Sequence, residues 1–218
     1  MTASHPLLTF HQASFSYGSR PIFRNLNLEV QVGDLIHIQG GNGCGKSTLL
    51  RCAAGLHALK SGSLRHSLVD QPQSDKTDPR NDFSFLSAEH NGLFLNLDAL
   101  RNYEFWTSFM RLESDKSEWQ QTLEFWGLKS SVHRNIPTHK FSTGMKRRLA
   151  LAVFCQPKKK LWILDEPFNG LDESGCKQLN RQLASHLSTG GGALIAAHEH
   201  RYLSDLSGYK GLSWESLK

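Results

Sequence analysis

The chain has 218 residues, a formal net charge of +5, 39% hydrophobic residues and 21% charged residues. This length suits one large domain with a real core, or two small ones, and the composition excludes disordered and fibrous classes. The four cysteines form no C-x-x-C pair, so neither a zinc site nor a disulfide framework is indicated, and dispersed thiols suit a reducing compartment. No run of about eighteen apolar residues is present, and Met1 to Pro6 lacks an apolar signal core. The positive charge reads as a solvated surface, with a polyanion or an anionic membrane face as the alternative.

Residues 7–38 read as β structure. Leu26, Leu28, Val30 and Val32 alternate with Asn27, Glu29 and Gln31, the pattern of a half-buried strand. Gly18-Ser19-Arg20-Pro21 is a turn before it, and Tyr17 closes the segment before the turn. Asp34 to Ile38 is a short strand and Ser47 to Ala54 a helix. Between them lies Gly40-Gly41-Asn42-Gly43-Cys44-Gly45-Lys46-Ser47, which fits the phosphate-binding loop G-x-x-x-x-G-K-[ST]. The glycines let successive N–H groups face phosphate oxygens at a helix N-terminus. Lys46 supplies positive charge for the β- and γ-phosphates, and the Ser47 hydroxyl is a ligand for Mg²⁺.

Gly55, Ser61-Gly62-Ser63 and then Gln71 to Asp82 are polar, and 71–82 is expected to be an exposed loop. Phe83 to Ser87 reads as a core strand. Residues 97–126 switch to helical spacing, with Leu97, Leu100, Tyr103, Phe105, Trp106, Phe109 and Met110 on one broad face. That face is either the core of a small helical layer or, in part, a patch for a partner. Ser117-x-x-Gln120 is a capping-box pattern for a second helix carrying Trp119, Leu123 and Trp126, closed by Gly127.

Phe141-Ser142-Thr143-Gly144-Met145 precedes a helix from Lys146 to Phe154, with Ser142 near its N-cap. The basic run Lys146-Arg147-Arg148 is either a solvated face or a source of positive potential. Leu161 to Leu164 form a buried strand ending in Asp165-Glu166, and ligands of open parallel sheets bind beyond such strand ends. Asp165 is placed to hold Mg²⁺, usually through water, and Glu166 to polarise the water that attacks a γ-phosphate. Residues 173–188 form an amphipathic helix through Leu179, Leu183 and Leu187. Ala193 to Ala197 form another buried strand, ending at His198-Glu199-His200. His198 there can sense a γ-phosphate. His11, His37, His57, His66 and His133 stand apart and read as ordinary residues.

Taken in order, these stretches resemble the ATP-binding cassette (ABC) ATPases over essentially the whole chain. Tyr17 matches the aromatic that stacks on adenine, and Gly40 to Thr48 match the P-loop (Gly40, Gly41, Asn42, Gly43, Cys44, Gly45, Lys46, Ser47, Thr48). Phe141 to Met145 match the signature, whose usual form is Leu-Ser-Gly-Gly-Gln. Leu161 to Glu166 match the Walker B strand, Asn169-Gly170-Leu171-Asp172 the D-loop, and His198 the switch histidine. The resemblance implies an α/β fold, with a P-loop NTPase core of mainly parallel sheet and helices. It also implies an N-terminal antiparallel β subdomain. Residues 1–88 and 155–218 would form the core, and about 89–154 a helical subdomain.

It further implies ATP and Mg²⁺ as cofactors, with Lys46, Glu166 and His198 catalytic. Two cassettes would form a homodimer in which Ser142, Thr143, Gly144 and Met145 of one copy contact the ATP of the other. The chain would lie peripherally on the cytoplasmic face of the inner (cell) membrane and drive a separate integral membrane permease, with no nucleic acid as partner. The finer resemblance is to the haem exporter ATP-binding subunit of cytochrome c biogenesis, on Leu161 to Phe168 and Leu97-Asp98-Ala99-Leu100-Arg101-Asn102. Another small exporter, a soluble ATPase on nucleic acid or ribosomes, and a regulator without turnover are the alternatives. The chain departs from the family at Thr143 and Met145. It departs again at or near His90, where the coupling-loop glutamine falls and where water or Glu89 is expected to take the glutamine's place.

Overall fold

The computed structural model describes residues 6–66, 83–110, 112, 115–129, 135–156, 158–198 and 202–217. The expected loop 71–82, His133, Glu199 and His200 lie outside them. Three antiparallel strands, β1 (Leu8–Tyr17), β2 (Arg20–Val30) and β4 (Ser61–His66), form one sheet in the order β2-β1-β4. The second sheet is parallel throughout, in the order β5-β6-β7-β3-β8. Its strands are β3 (Leu35–Gln39), β5 (Phe83–Leu86), β6 (Leu161–Asp165), β7 (Gly192–Ala196) and β8 (Tyr209–Ser213). The helices are α1 (Lys46–Ala53), α2 (Ala99–Phe109), α3 (Lys116–Phe125), α4 (Thr143–Phe154) and α5 (Glu173–Ser188).

The parallel sheet divides two cores. Successive side chains on a strand point to opposite faces, so a strand buried on both sides feeds each core alternately. Trp162, Leu164, Ala193 and Ile195 pack with Leu149, Leu151, Leu179 and Leu183 of the α4/α5 side. Leu161, Ile163, Leu194 and Ala196 pack with Leu49 and Leu50 of α1 and with Phe10, Phe23 and Val30 of the antiparallel sheet. The central strands therefore read as unbroken apolar runs, and β2 as an alternating one.

Helix ends follow local chemistry. Asp98 caps α2 by accepting from Arg101 N, Ser142 caps α4 by accepting from Met145 N, and Asp172 caps α5 by accepting from Gly175 N. Asp115, rather than the expected Ser117/Gln120 pair, caps α3, because its carboxylate reaches the Ser117 and Glu118 amides. Gly127 ends that segment at φ +69. The buried Asn102 amide ties α2 back to the chain before it, donating to Phe94, Leu97 and Asp98 oxygens while its own oxygen accepts from Phe94 N at 2.7 Å.

Several expectations need correction. Val32 lies past the end of β2 and is exposed. The apolar face at 97–110 is split: Tyr103 is buried, whereas Phe105 and Phe109 face solvent, Phe109 at 70% exposure. Strands β4 and β8 carry no sequence signal, because their residues are exposed or half-exposed and neither alternate nor run apolar. Among the described residues no helix is long and apolar enough to cross a membrane.

One buried histidine sets a pH prediction. The His186 ring stacks on Trp162 at 3.8 Å with 4° between planes, and its Nε2 lies 3.2 Å from Gly192 O. A Cβ on Gly191 would fall 2.2 Å from that ring, so glycine is required beside it. Burial holds the His186 pKa down, at about 4. Its contribution to stability is therefore whole above the unfolded value of about 6.5 and is lost as pH falls towards 4. His186→Phe, which keeps a stacked ring, should lose less stability between pH 7 and 4.5 than the natural chain in urea titrations. Equal losses would contradict the assignment.

Candidate functional site

Residues 40–45 join β3 to α1. Gly43 at φ +70 and Gly45 at φ +127 take backbone angles that side chains resist. The loop has a closed floor and an open face. A Cβ on Gly45 would meet Ile22 Cγ2 at 2.5 Å and Trp214 Cζ2 at 2.6 Å, and one on Gly40 would meet Trp214 Cβ at 2.8 Å. Nothing lies within 4 Å of a Cβ on Gly41 or Gly43. Gly45 offers α1 no side-chain cap, so the first-turn amides are left to an anion. Lys46 Nζ is held over the loop by the carbonyls of Gly40 at 2.8 Å and Gly41 at 3.0 Å.

Tyr17 ends β1 beside this helix, 47% exposed. Its hydroxyl lies 3.5 Å from Thr48 Oγ1 and 3.2 Å from His57 Nε2. The expectation that His57 stands apart is therefore corrected, since its ring also stacks on Phe15.

At the end of the fully buried strand β6, Asp165 is 1% exposed. Burial raises its pKa; the Ser47 hydroxyl, the Ala88 amide, Arg51 and Lys46 oppose the rise. Neither carboxylate oxygen closes a hydrogen bond of full geometry, so both are buried acceptors facing Ser47 without a firm partner. Glu166 follows in the left-handed region at φ +45, and its amide donates to Ala196 O at 2.7 Å. Its Oε2 accepts from the His198 amide at 3.3 Å, and its Oε1 is 3.5 Å from His198 Nε2. The same Nε2 is 2.5 Å from Asn42 Oδ1. Residues 42, 166 and 198, far apart in the chain, thus meet where the parallel strands end. An open cavity of about 550 Å³ adjoins them, lined by Glu166, His198, Phe168, Gly170 and Tyr202 among others.

The signature stretch lies against the D-loop stretch. A Cβ on Gly144 would be 3.0 Å from Gly170 O, and Thr143 Cγ2 approaches Gly170. The Ser142 hydroxyl serves as the α4 cap, while Thr143 is exposed and Gly144 and Met145 are half-buried. Asp172 accepts from Arg148 at 2.5 Å. At the coupling loop, His90 is exposed, and it is Glu89 that reaches α1, through Arg51 at 3.0 Å.

Sequence reasoning missed three residues here. Trp214 floors the loop but sits in a short C-terminal 3-10 turn. Asn102 was read only within the stretch Leu97 to Asn102, with no sign that its side chain ties α2 to the chain before it. Arg147 was read with its basic neighbours, yet it is 3% exposed. The available signal was helical spacing: Arg147 shares a face with Ala150, Leu151 and Phe154, all buried.

The family model described as "ABC transporter" matches residues 23–169. The chain is 34% identical over 185 residues to the cytochrome c biogenesis ATP-binding export protein CcmA of Vibrio cholerae, covering 84% of this chain and 86% of that one. It is 31% identical over 213 residues to the protein of the same name from Pseudomonas savastanoi, covering 97% of each. Among solved structures, an ATP-binding subunit of an ABC transporter superposes with TM-score 0.80 at 22% identity, covering 94% of this chain and 85% of that one. A putative ABC transporter ATP-binding protein from Pyrococcus furiosus superposes with TM-score 0.77 at 18% identity, covering 97% and 98%.

The buried Asp165 generates a stability prediction. A carboxyl whose folded pKa is raised loses stability as pH climbs from the unfolded value of about 3.9 through the higher folded one. Asp165→Asn removes the charge at nearly constant shape. It should raise the melting temperature of the nucleotide-free protein at pH 7. A lower melting temperature would show that the carboxylate is held by partners that stabilise its charge.

Proposed function

The chain belongs to the ABC transporter family, and on that premise we propose that it is the ATP-hydrolysing subunit of an exporter serving cytochrome c biogenesis, the haem exporter. ATP binding and hydrolysis coupled to export follow from the family and from the CcmA relatives. The assignment to one exporter rests on the names of those relatives and on their coverage of most of the chain. The observation that carries the mechanism is the approach of Glu166, His198 and Asn42 at the end of β6.

On this reading ATP lies on the open face of residues 40–45, with its base on Tyr17 and its phosphates against the α1 amides and Ser47, Thr48 and Lys46. Gly40, Gly41, Asn42, Gly43, Cys44 and Gly45 supply the backbone cradle. Lys46 exchanges its two loop carbonyls for phosphate oxygens, a charge-assisted contact of greater strength. Glu166 accepts a proton from the attacking water, and His198 positions the γ-phosphate side of the site. A divalent cation fits: Asp165 presents two buried oxygens without firm partners next to the Ser47 hydroxyl. Ser47, and Asp165 through water, would hold Mg²⁺, which would supply positive charge to offset that of the phosphates.

Ser142, Thr143, Gly144 and Met145 of a second copy close over the nucleotide, with Asp172 at the junction, so the working unit is a homodimer. The chain is one ATPase domain, with about 89–154 as its helical subdomain. It works at the inner face of the cell membrane against a separate permease, and the exposed Phe94, Phe105 and Phe109 offer that permease an apolar surface.

Glu166→Gln should still bind ATP but hydrolyse it at least ~100-fold more slowly, the usual scale of a lost general base. It should also accumulate an ATP-dependent dimer visible by light scattering. Hydrolysis at the natural rate would refute the role of Glu166. Lys46→Ala should lose most affinity for a fluorescent ATP analogue, and unchanged affinity would refute the placement of the phosphates. For the exporter assignment, a host lacking this chain should lose covalent haem in its c-type cytochromes and regain it with the natural gene but not with Glu166→Gln. Normal haem attachment in the deletion strain would overturn it.

A further inference from the structure

Arg147 lies in the first turns of α4, inside the protein, where an arginine needs an explanation. A guanidinium presents five N–H donors in a rigid plane and carries a charge that is costly to bury unpaired. Here the donors meet five acceptors. Nη2 donates to Asp165 O at 3.1 Å and Glu166 O at 2.8 Å, and Nε to Pro167 O at 3.3 Å. Nη1 donates to Ser87 O at 3.0 Å and Asn91 Oδ1 at 3.1 Å. Three of the acceptors are consecutive carbonyls around Glu166, the residue whose backbone stands at φ +45. A left-handed conformation at a residue other than glycine costs free energy and persists only where its surroundings enforce it. The other two acceptors lie in the segment after β5, next to Ala88 and Glu89, which face Asp165 and Arg51.

We propose that Arg147 is the positioning residue of the Glu166 carboxylate, and that its bond to Asn91 makes this position depend on the segment 87–91. The proposal rests on the reading of Glu166 as the base. Arg147 touches no reacting atom; it clamps the turn that aims Glu166 towards His198 and the phosphate end of the site. Because one rigid plane joins both sets of acceptors, a displacement of 87–91 must either break Asn91–Arg147 or shift the guanidinium against the Glu166 carbonyl. The segment 87–91 thereby acquires direct leverage on the carboxylate that activates water. Lysine cannot substitute, since its three donors radiate from one atom and cannot span five acceptors.

The test compares Arg147→Lys, Asn91→Ala, Asn91→Asp and Glu166→Gln in the full chain. Each is measured for folding, fluorescent-ATP affinity, kcat, KM, and trapping of ADP with orthovanadate. Arg147→Lys should bind ATP within about threefold of the natural chain while kcat and vanadate trapping fall together, by about tenfold to a hundredfold, the range expected when a catalytic group is displaced by an ångström or less. A residue that merely held the fold would lower the melting temperature without a selective loss of the transition-state analogue. Asn91 is only partly buried, so its variants should fold even if Arg147→Lys does not. Asn91→Ala should lower kcat and trapping by about twofold to fivefold, and Asn91→Asp, which keeps the acceptor oxygen, should restore both. Folded Arg147→Lys with natural kcat and trapping would overturn the positioning role. Natural kcat in Asn91→Ala would overturn the link to 87–91. Hydrolysis surviving in Glu166→Gln would instead overturn the underlying reading of the site, whatever the other variants do.

Discussion

A carboxylate carried to the end of a strand buried on both faces is the constraint on which this structure depends. Strand β6 has no exposed residue, and Asp165 closes it almost wholly out of water. Burial alone would neutralise such a group. The surroundings answer with cations at a distance, Lys46 and Arg51, and with the Ser47 hydroxyl, rather than with a tight ion pair. A tight pair would stabilise the fold but occupy the oxygens proposed to hold the cation. The same reasoning accounts for Glu166. Its left-handed backbone turns the next carboxylate out of the core towards His198, and a second buried charge, Arg147, secures the turn.

The two cores serve that strand end differently. The α1 core, with the antiparallel sheet and Trp214, fixes the floor of the 40–45 loop at van der Waals distance, so the loop is shaped before any ligand arrives. The α4/α5 core fixes Arg147 and Arg148. Arg148 spans Trp126 O, Gln178 and Asp172, so the signature helix, α3 and the D-loop stretch are joined through one side chain. The helical residues between 89 and 154 are thus tied to the parallel sheet by buried polar contacts at a few points, over apolar packing.

The parallel sheet was legible because strands buried on both faces leave unbroken apolar runs, as in Leu161 to Leu164 and Ala193 to Ala197. The 40–48 loop was legible because glycine and lysine spacing there answers a backbone demand. Edge strands β4 and β8 were not, since exposed residues such as Lys210 and Gly211 carry no period. The α3 cap was misplaced by two residues because an aspartate and a serine both suit the position, and only the approach of the Asp115 carboxylate to the amides decides between them. Arg147 was hidden by its neighbours: three basic residues in a row look solvated, and only the tertiary position of the Glu166 turn shows that the middle one is buried. At the coupling loop the sequence left water or Glu89 as the group to stand in for the glutamine, and Glu89 makes the contact with α1 through Arg51. A one-residue ambiguity in an irregular segment cannot be resolved without the backbone.

Glu166, at the end of β6, is proposed to activate the water that hydrolyses ATP held on the 40–48 loop. The most direct measurement is phosphate release from ATP by the purified chain with Mg²⁺, set against the same mixture with Mg²⁺ chelated. The account predicts steady release that requires Mg²⁺ and rises per chain with chain concentration, as two copies close each site. Saturating ATP binding with no phosphate release at any concentration would contradict it.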